Sequence, residues 1–369
     1  MTYEIGKLPL ESLLPAMARA EDQLARLDEI VRGNPVGDGF VERGHFFDAA
    51  ASMWVNGELV HIEDLVLHDA RMDVRVPTHE LTLAHAQLRT RRRIAMAEPG
   101  WATSEVGVAA LSGGVTEQAI PAGAPANKMP KEEDVSDDDP LSREFAKIDA
   151  IIRRSQRLLD GMADGVSPSR PKRKPLVVGN LMIRDPEWDE DDRLLQWRQV
   201  MKGIEDLPAA VAAAILYDAW ETLQPMQNQH WLGGHLVSAY LRGRGKVVSH
   251  LPAFHVGLKA IPRERRRSRQ RHDRLLAFLD AMSAAADAGM KEISRLLQAR
   301  QQMERHLRDR RSSSSLPATI ELVLSRPVIS AGMIAKAAKV TQRGALNLIG
   351  ELGVREITGR GRYRAWGII

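Results

Sequence analysis

The chain has 369 residues, a formal net charge of +4 and no cysteine. This length allows two or three domains, and the lack of thiols excludes disulfides and cysteine-based zinc or redox sites. The N-terminus lacks the basic start and apolar core of a signal peptide, and the longest apolar run, Leu207–Tyr217, is too short to cross a bilayer. These features predict a cytoplasmic protein.

Residues 1–97 are predicted to form the N-terminal helical part of a larger core. Apolar residues recur there at helical spacing, beginning with Leu13, Leu14, Met17, Ala20, Leu24, Leu27 and Ile30. Residues 98–140 differ in composition from this helical segment: they are rich in Gly, Ala and Pro, and Lys131–Pro140 is mostly acidic. This composition indicates a flexible linker. One hypothesis is that Asp137–Asp139 mask a basic C-terminal segment of the same chain.

Residues 141–310 are predicted to form the second helical part of the core. Its expected helices are Leu141–Leu159, Glu205–Trp220, Trp231–Leu241 and Arg274–Arg310. A basic, proline-containing segment, Val166–Lys174, interrupts the helical pattern after the first of them. Core anchoring is the expected role of four tryptophans, Trp188, Trp197, Trp220 and Trp231. The arginine-rich runs Arg89–Arg93 and Arg263–Arg274 are interpreted as solvated helix faces, with phosphate contact as the alternative.

Residues 311–315 are a predicted linker to a winged helix-turn-helix at residues 316–369. Ser330 can cap a helix over Ala331–Ala338, and Thr341 can cap a third helix over Gln342–Leu352. Gly353 is suited to end that third helix because glycine tolerates positive φ.

A β-hairpin is predicted after the third helix. Two β-prone runs, Val354–Thr358 and Tyr363–Gly367, flank the Gly-Arg-Gly-Arg tip at residues 359–362. Residues 316–369 hold eight Lys or Arg and three Asp or Glu, which gives a net charge of 8 − 3 = +5. A positive charge of this size suits contact with nucleic acid.

The order of these elements places the third helix where it can enter a major groove. Arginine bonds guanine edges, and glutamine or asparagine bonds adenine edges. The predicted DNA-binding residues are Thr341, Gln342, Arg343 and Asn347 on the helix, and Arg360, Arg362 and Arg364 on the hairpin. Four residues of the third helix are expected to face the core: Ala345, Leu346, Ile349 and Leu352. The alternative is that this domain makes only protein contacts.

One loop of the helical body resembles the motif of a known family. After the helix Leu207–Glu221, the chain passes through Gln224, Pro225, Asn228, His230, Gly234 and His235 into the next helix. The layout resembles the Fic/Doc family, in which a catalytic histidine, a metal-binding acid and a Gly-Asn-Gly-Arg loop lie between two helices. Ser52–Gly57 and His61–Leu65 resemble the family's inhibitory segment, with Asn56 at the position of its glutamate. The resemblance spans roughly residues 10–300 and extends to a bacterial subgroup with a DNA-binding-type tail.

The motif positions implied by this resemblance lack the family's chemistry. Gln224 stands where the catalytic histidine would be, and a neutral amide cannot take up a proton at physiological pH. Asn228 replaces the metal-binding acid, and Leu232 and His235 replace phosphate-binding arginines. The resemblance therefore implies a degenerate motif without catalytic residue, metal or cofactor.

Two alternatives to a degenerate motif follow from the same residues. A diverged nucleotidyl or phosphoryl transferase would use His230 or His235 as its base and Gly233-Gly234 as a phosphate cradle. A metal site at these two histidines would need further ligands, for which His250 and His255 are the nearest candidates along the chain.

The sequence as a whole predicts a mainly α protein with a Fic-like helical core, an inserted flexible linker and a C-terminal winged helix-turn-helix. The predicted function is binding of double-stranded DNA by a transcriptional regulator. Its core would serve as a dimerisation or sensing scaffold, and a homodimer is expected because two copies double the DNA contacts. A transferase and a protein-interaction module are the alternative functions.

Overall fold

The structure is a computed structural model that describes residues 3–6, 9–72, 76–112, 188–305, 315–357 and 364–368. Most of the expected linker at residues 98–140 lies outside these ranges. So do the expected helix Leu141–Leu159, the interruption Val166–Lys174 and the segment 306–314. The described residues are mainly helical, as predicted. No helix among them is both long and apolar enough to cross a membrane.

The helices of the body come in two groups along the chain. The first group is α1 (Leu10–Val31), α2 (Gly37–Val55), α3 (Ile62–Asp69), α4 (His79–Met96), a 3-10 turn (Trp101–Thr103) and α5 (Glu105–Leu111). The second group is α6 (Glu190–Gly203), α7 (Ala209–Leu223), α8 (Leu232–Gly243), α9 (Phe254–Ala260), α10 (Arg263–Arg266) and α11 (Arg271–Arg305).

The C-terminal domain contains three helices and two short strands. These are α12 (Leu316–Ser325), β1 (Ile329–Ser330), α13 (Ala331–Ala338), α14 (Gln342–Leu352) and β2 (Ala365–Trp366). Strand β1 pairs antiparallel with β2, with Ile329 opposite Trp366 and Ser330 opposite Ala365.

Local sequence signals define the ends of the helix pair in this domain. The Ser330 hydroxyl accepts a hydrogen bond from the Met333 amide at the start of α13, and the Thr341 hydroxyl accepts one from the Gly344 amide at the start of α14. Gly353 takes the left-handed conformation, φ 65°, at the end of α14. Both predicted helices are therefore confirmed with the predicted bounds, because their caps need only residues three positions away.

Helix α11 is the longest helix of the described residues and packs against several others. Its 35 residues extend about 52 Å, and it packs along α1, α9 and α7. Helix α7 begins at Ala209, four residues later than expected, because Pro208 precedes it. Of the four tryptophans expected to anchor the core, Trp197 and Trp220 are buried and meet edge to face, with 5.3 Å between ring centroids. Trp188 and Trp231 are only half-buried.

Two details of the predicted N-terminal pattern are wrong. Leu13, Leu24 and Leu27 are buried, whereas Leu14 and Ile30 are 55% and 41% exposed. Both exposed residues lie beside the apolar stripe of α1 rather than on it. Helix spacing alone cannot fix the width of the face that a neighbouring helix covers.

Candidate nucleic-acid interface

The exposed face of α14 carries the predicted DNA-reading residues. Gln342, Arg343 and Asn347 are all exposed. Arg343 and Asn347 are one helical turn apart and therefore lie on the same face. Thr341 uses its hydroxyl as the helix cap, so its contact with DNA stays a prediction. The arrangement presents two side chains that can each bond a base edge.

The opposite face of α14 packs on α12 and α13. Ala345, Ile349 and Leu352 are buried, as predicted. The prediction for Leu346 is wrong, because its side chain is 40% exposed. Leu346 lies three residues after Arg343 and joins the exposed face. An apolar side chain there is suited to contact a thymine methyl group.

The predicted hairpin is present at its base. The Ile357 amide donates to the Ala365 carbonyl at 2.8 Å, and the Gly367 amide donates to the Arg355 carbonyl at 3.1 Å. The tip residues Arg360 and Arg362 lie outside the described residues, so their contact with DNA stays a prediction.

Arg364 has a partner within the hairpin. Its guanidinium donates to Glu356 Oε2 at 2.6 Å and lies over the Trp366 ring. The hydrogen bond and charge of Arg364 lower the pKa of the Glu356 carboxyl. A phosphate would have to compete with this carboxylate for Arg364. This pair was not predicted, because Glu356 lies on the opposite side of the hairpin, eight residues away in sequence.

Three further basic residues of this domain are exposed. They are Lys336, Lys339 and Arg355. Lys339 takes a left-handed conformation, φ 53°, in the turn that leads to α14. Sequence analysis did not single out these residues, although the count of positive charge over residues 316–369 includes them.

A buried arginine joins the C-terminal domain to the helical body. Arg43 of α2 is 1% exposed. Its Nε donates to Glu292 Oε1 at 2.7 Å, its Nη1 to the Arg326 carbonyl at 2.6 Å and its Nη2 to the Ile368 carbonyl at 3.2 Å. Arg43 therefore connects α11 with two separate points of the C-terminal domain, one directly after α12 and one after β2.

A second set of contacts lies beside Arg43. Arg326 pairs with Glu42 and lies over the Phe46 ring. Arg92 Nη1 lies 2.7 Å from Asp69 Oδ1, and Asp69 also faces Arg326. Charges from α2, α3, α4 and the C-terminal domain thus meet in one network.

Close backbone packing completes this attachment. A Cβ added at Gly39 of α2 would lie 2.9 Å from the carbonyl oxygen of Leu324, at the end of α12. Only glycine allows α2 and α12 to approach so closely. The described residues of the C-terminal domain thus pack directly on the body.

The positions that resemble the Fic/Doc motif in sequence do not form an open site. Gln224 is exposed at the end of α7 with φ 44°, Pro225 is buried and Asn228 is half-buried. Asn56 and Glu221 share a cavity of only about 20 Å³, which is room for about one water molecule.

The two glycines proposed as a phosphate cradle serve packing instead. Gly233 and Gly234 are buried in the first turn of α8. A Cβ added at Gly233 would overlap the Trp220 ring, and one added at Gly234 would overlap the His255 ring. The space that an anion would need is occupied by these two rings.

The motif histidines point to separate places. His230 Nε2 lies 2.8 Å from Glu221 Oε1 in the loop before α8. Burial opposes protonation of His230, but Glu221 raises its pKa above the usual value. His235 lies in the core, completely buried. The two histidines do not share a helix face, because α8 begins at Leu232, after His230.

His235 lies beside a buried polar network centred on Asp48, with its Nδ1 3.6 Å from Asp48 Oδ2, which is beyond hydrogen-bond distance. Asp48 Oδ2 accepts hydrogen bonds from Arg91 Nη1 at 2.5 Å and His255 Nδ1 at 3.0 Å. Asp48 Oδ1 accepts from the backbone amides of His255 and Val256. Burial would raise the pKa of Asp48, but Arg91 and the histidines hold it well below its usual range. Arg91 was expected on a solvated face, so that prediction is wrong.

Three groups in or beside this network have the residue types of a metal site. The nearest ligand atoms of Asp48, His235 and His255 all lie within 4.8 Å of one another. However, Arg91 already neutralises Asp48, and both carboxylate oxygens accept several donors. A divalent cation among these groups would leave excess positive charge in the core, which is costly. The geometry fits a neutral structural network better than a metal site.

Buried neutral histidines make stability depend on pH. Burial lowers the pKa of His45 and of His235 to about 3, and that of His250 to about 4. Unfolded histidine titrates near 6.5, so below that pH the unfolded chain binds more protons than the folded chain. We expect the free energy of unfolding to fall as the pH drops from 6.5 towards 4, by about 1.4 kcal/mol per pH unit for each such histidine.

Urea unfolding at several pH values measures this slope. The variant His45→Gln should show a shallower slope, whereas His79→Gln, at an exposed position, should keep the slope of the wild type. Equal slopes in all three proteins would contradict the assignment.

Comparisons with known proteins are consistent with the two-part organisation. Residues 182–308 match a family described as "Protein of unknown function (DUF1612)", and residues 316–369 match an "HTH DNA binding domain". The chain is also 43% identical, over 387 aligned positions covering 100% of both chains, to "Uncharacterized protein y4cF" of Sinorhizobium fredii (strain NBRC 101917 / NGR234). The match at residues 316–369 confirms the predicted helix-turn-helix type of the C-terminal domain.

Proposed function

This chain belongs to the family of its relative y4cF, and from its HTH DNA binding domain we propose that it is a sequence-specific, DNA-binding transcriptional regulator. The observation that carries the proposal is the exposed face of α14. Gln342, Arg343 and Asn347 are solvent-accessible there, on a helix that Thr341 caps and that matches a DNA-binding family. We also propose that the protein acts in the cytoplasm.

The direct test is selection of genomic fragments by the full-length protein, followed by sequencing of the bound DNA. Enriched sites would support a regulator that reads sequence. We also propose that two copies bind together, and enriched sites with two-fold symmetry are then expected. Unselective recovery of all fragments would contradict sequence reading and would favour a domain that docks on protein.

The hairpin arginines are proposed to bind the phosphate backbone. Each phosphate contact steepens the dependence of log K on log salt by about 0.9. Arg360→Ala and Arg362→Ala should each reduce the slope by roughly this amount. Arg364→Ala should change it less, because Glu356 already pairs with Arg364. Fluorescence anisotropy over a salt series measures the slopes, and no change in the first two variants would contradict phosphate contact.

We propose that the helical body is a Fic-like core that has lost its chemistry. Support comes from the loop between α7 and α8, where Gln224 and Asn228 replace acid–base and metal-binding groups, and from the packed Gly233-Gly234 pair. ATP with magnesium should leave the melting temperature unchanged. A ligand at 100 times its dissociation constant stabilises by about 2.7 kcal/mol, so a bound nucleotide would produce a visible shift. Such a shift would revive the transferase alternative.

A further inference from the structure

The helical body encloses a half-open cavity of about 480 Å³. Helices α1, α2 and α11 form its walls together with the segments 59–62 and 250–256. Its size falls within the range of small-molecule sites in proteins. It is separate from the loop between α7 and α8 that carries the degenerate motif.

Small residues on two facing helices create this space. Gly44, Ala50 and Ala51 of α2 line one side, and Ala288 and Gly289 of α11 line another. A Cβ added at Gly44 would meet no atom within 4 Å. Larger residues at these positions would fill the cavity, so the sequence keeps a volume open that tight packing would otherwise remove.

Most of the lining is apolar. Aromatic and aliphatic side chains surround the space, among them Leu24, Leu27, Phe40, Phe47, Trp54 and Ile62. Trp54 and Leu59 are 40% and 70% exposed. An occupant with an apolar body would remove this surface from water, at a gain of roughly 25 cal/mol per Å².

The charged groups of the lining favour an anionic head on that body. Glu292 is already engaged, with Oε1 accepting from Arg43 at 2.7 Å and Oε2 lying 3.3 Å from Arg295. Lys259 also lines the cavity, with its ammonium 5.6 Å from the centre of the Trp54 ring. Two cations therefore border a cavity whose one lining carboxylate is held by arginines.

His250 adds a polar group to the wall. Its side chain is almost completely buried, and its Nδ1 lies 3.1 Å from the Ser249 hydroxyl. Its Nε2 has no hydrogen-bond partner among the described residues. A buried polar atom left in this state is costly, and a polar group of an occupant would offset that cost.

We propose that this cavity binds a small, mainly apolar molecule with an anionic head such as a carboxylate, held at Arg295 and Lys259, and that its occupancy alters DNA binding. The route is the contact between Glu292 in the cavity wall and Arg43, which holds the carbonyls of Arg326 and Ile368 in the DNA-binding domain. The regulatory half rests on the proposed function, whereas the binding half does not.

The size of the regulatory effect depends on differential affinity. A ligand shifts the placement of the C-terminal domain only if it binds one placement more tightly than another. An anionic head that draws Arg295 away from Glu292 changes the charge around Arg43, which touches both parts of the protein. This makes Glu292 the positioning residue of the link.

A pair of fluorescent dyes tests the binding half in the full-length protein. The probes are 1-anilinonaphthalene-8-sulfonate, an apolar anion, and N-phenyl-1-naphthylamine, which has the same ring system without charge. We expect saturable binding of the anionic dye with about one site per chain, and binding of the neutral dye at least tenfold weaker. Equal affinity for both dyes would overturn the anionic preference.

Matched variants locate the dye. Gly44→Trp should abolish binding, whereas Ala109→Trp, at an exposed position of α5, should leave it unchanged.

The double variant Lys259→Gln with Arg295→Gln tests the charge preference. It should weaken binding of the anionic dye about tenfold and leave binding of the neutral dye unchanged. Lys291→Gln is the charge control, one turn from Arg295 on the exposed side of α11. Undiminished binding by a folded Gly44→Trp protein would show another site, such as a surface for a helix or a second copy, and overturn the proposal.

DNA affinity measured with and without saturating anionic dye tests the regulatory half. We expect at least a threefold change in the wild type and a smaller one in Glu292→Gln, each measured at a dye concentration that saturates the protein in question. Dye binding without any effect on selective DNA binding would overturn the regulatory link. Dye binding by a protein that selects no DNA would instead refute the proposed function and leave the ligand site standing.

Discussion

Replacing Arg343 by alanine is expected to lower affinity for the preferred DNA site by about 10- to 100-fold, because a bidentate contact to a base is worth about 1–3 kcal/mol. Arg343 is exposed near the start of α14, where helix-turn-helix proteins contact base edges. Asn347→Ala should produce a loss of similar size, since Asn347 lies one turn further along the same face.

Competition binding separates reading of bases from general attraction to phosphate. Wild type and variants are titrated against the preferred fragment and against a scrambled one at a single salt concentration. The variants should lose affinity for the preferred fragment and retain their weak affinity for the scrambled one. Arg269→Ala, which removes an exposed arginine from the body, is the control. Equal losses on both fragments in Arg343→Ala would mean that Arg343 contacts only the backbone.

Among the substitutions proposed here, replacement of Arg91 should lower the free energy of unfolding the most. Arg91 and Asp48 are both completely buried, and breaking a buried pair by deleting one partner typically costs about 3–5 kcal/mol. We expect Arg91→Met to lower the melting temperature by roughly 6–20 °C. The physical reason is that Asp48 would keep its charge without the guanidinium that compensates it.

The double variant Asp48→Asn with Arg91→Met sharpens this test. It removes both charges, so it should be less destabilised than the sum of the two single variants. Arg26→Met is the control, because its ion pair with Asp22 is exposed and such pairs are worth at most about 1 kcal/mol. Additive losses in the double variant would contradict a compensated buried pair.

The features that sequence analysis predicted correctly are set by neighbouring residues. The caps of α13 and α14 involve Ser330 and Thr341, each with an amide three residues away, and their bounds were predicted to the residue. The core anchors Trp197 and Trp220 were identified by size and apolarity. Helix caps and large apolar side chains can both be recognised from a short stretch of sequence.

The features that it missed depend on contacts distant in sequence. Asp48 and His255 are 207 residues apart, and Arg91 lies within a run that is otherwise typical of a solvated helix face. Leu346 was assigned to the core because it is apolar, although its position on α14 exposes it. Arg364 was assigned to DNA without regard to Glu356 on the facing strand.

The two hydrogen bonds from Arg43 to backbone carbonyls of the DNA-binding domain restrict the spacing of the DNA half-sites that the protein can bind. Arg326 follows α12 and Ile368 follows β2, so Arg43 fastens two separate points of the DNA-binding domain to α2. If two copies share one operator, as we propose, the distance and angle between their recognition helices are set by the helical bodies. Operators of this protein should accordingly tolerate changes of base between the half-sites better than insertion or deletion of a few base pairs there.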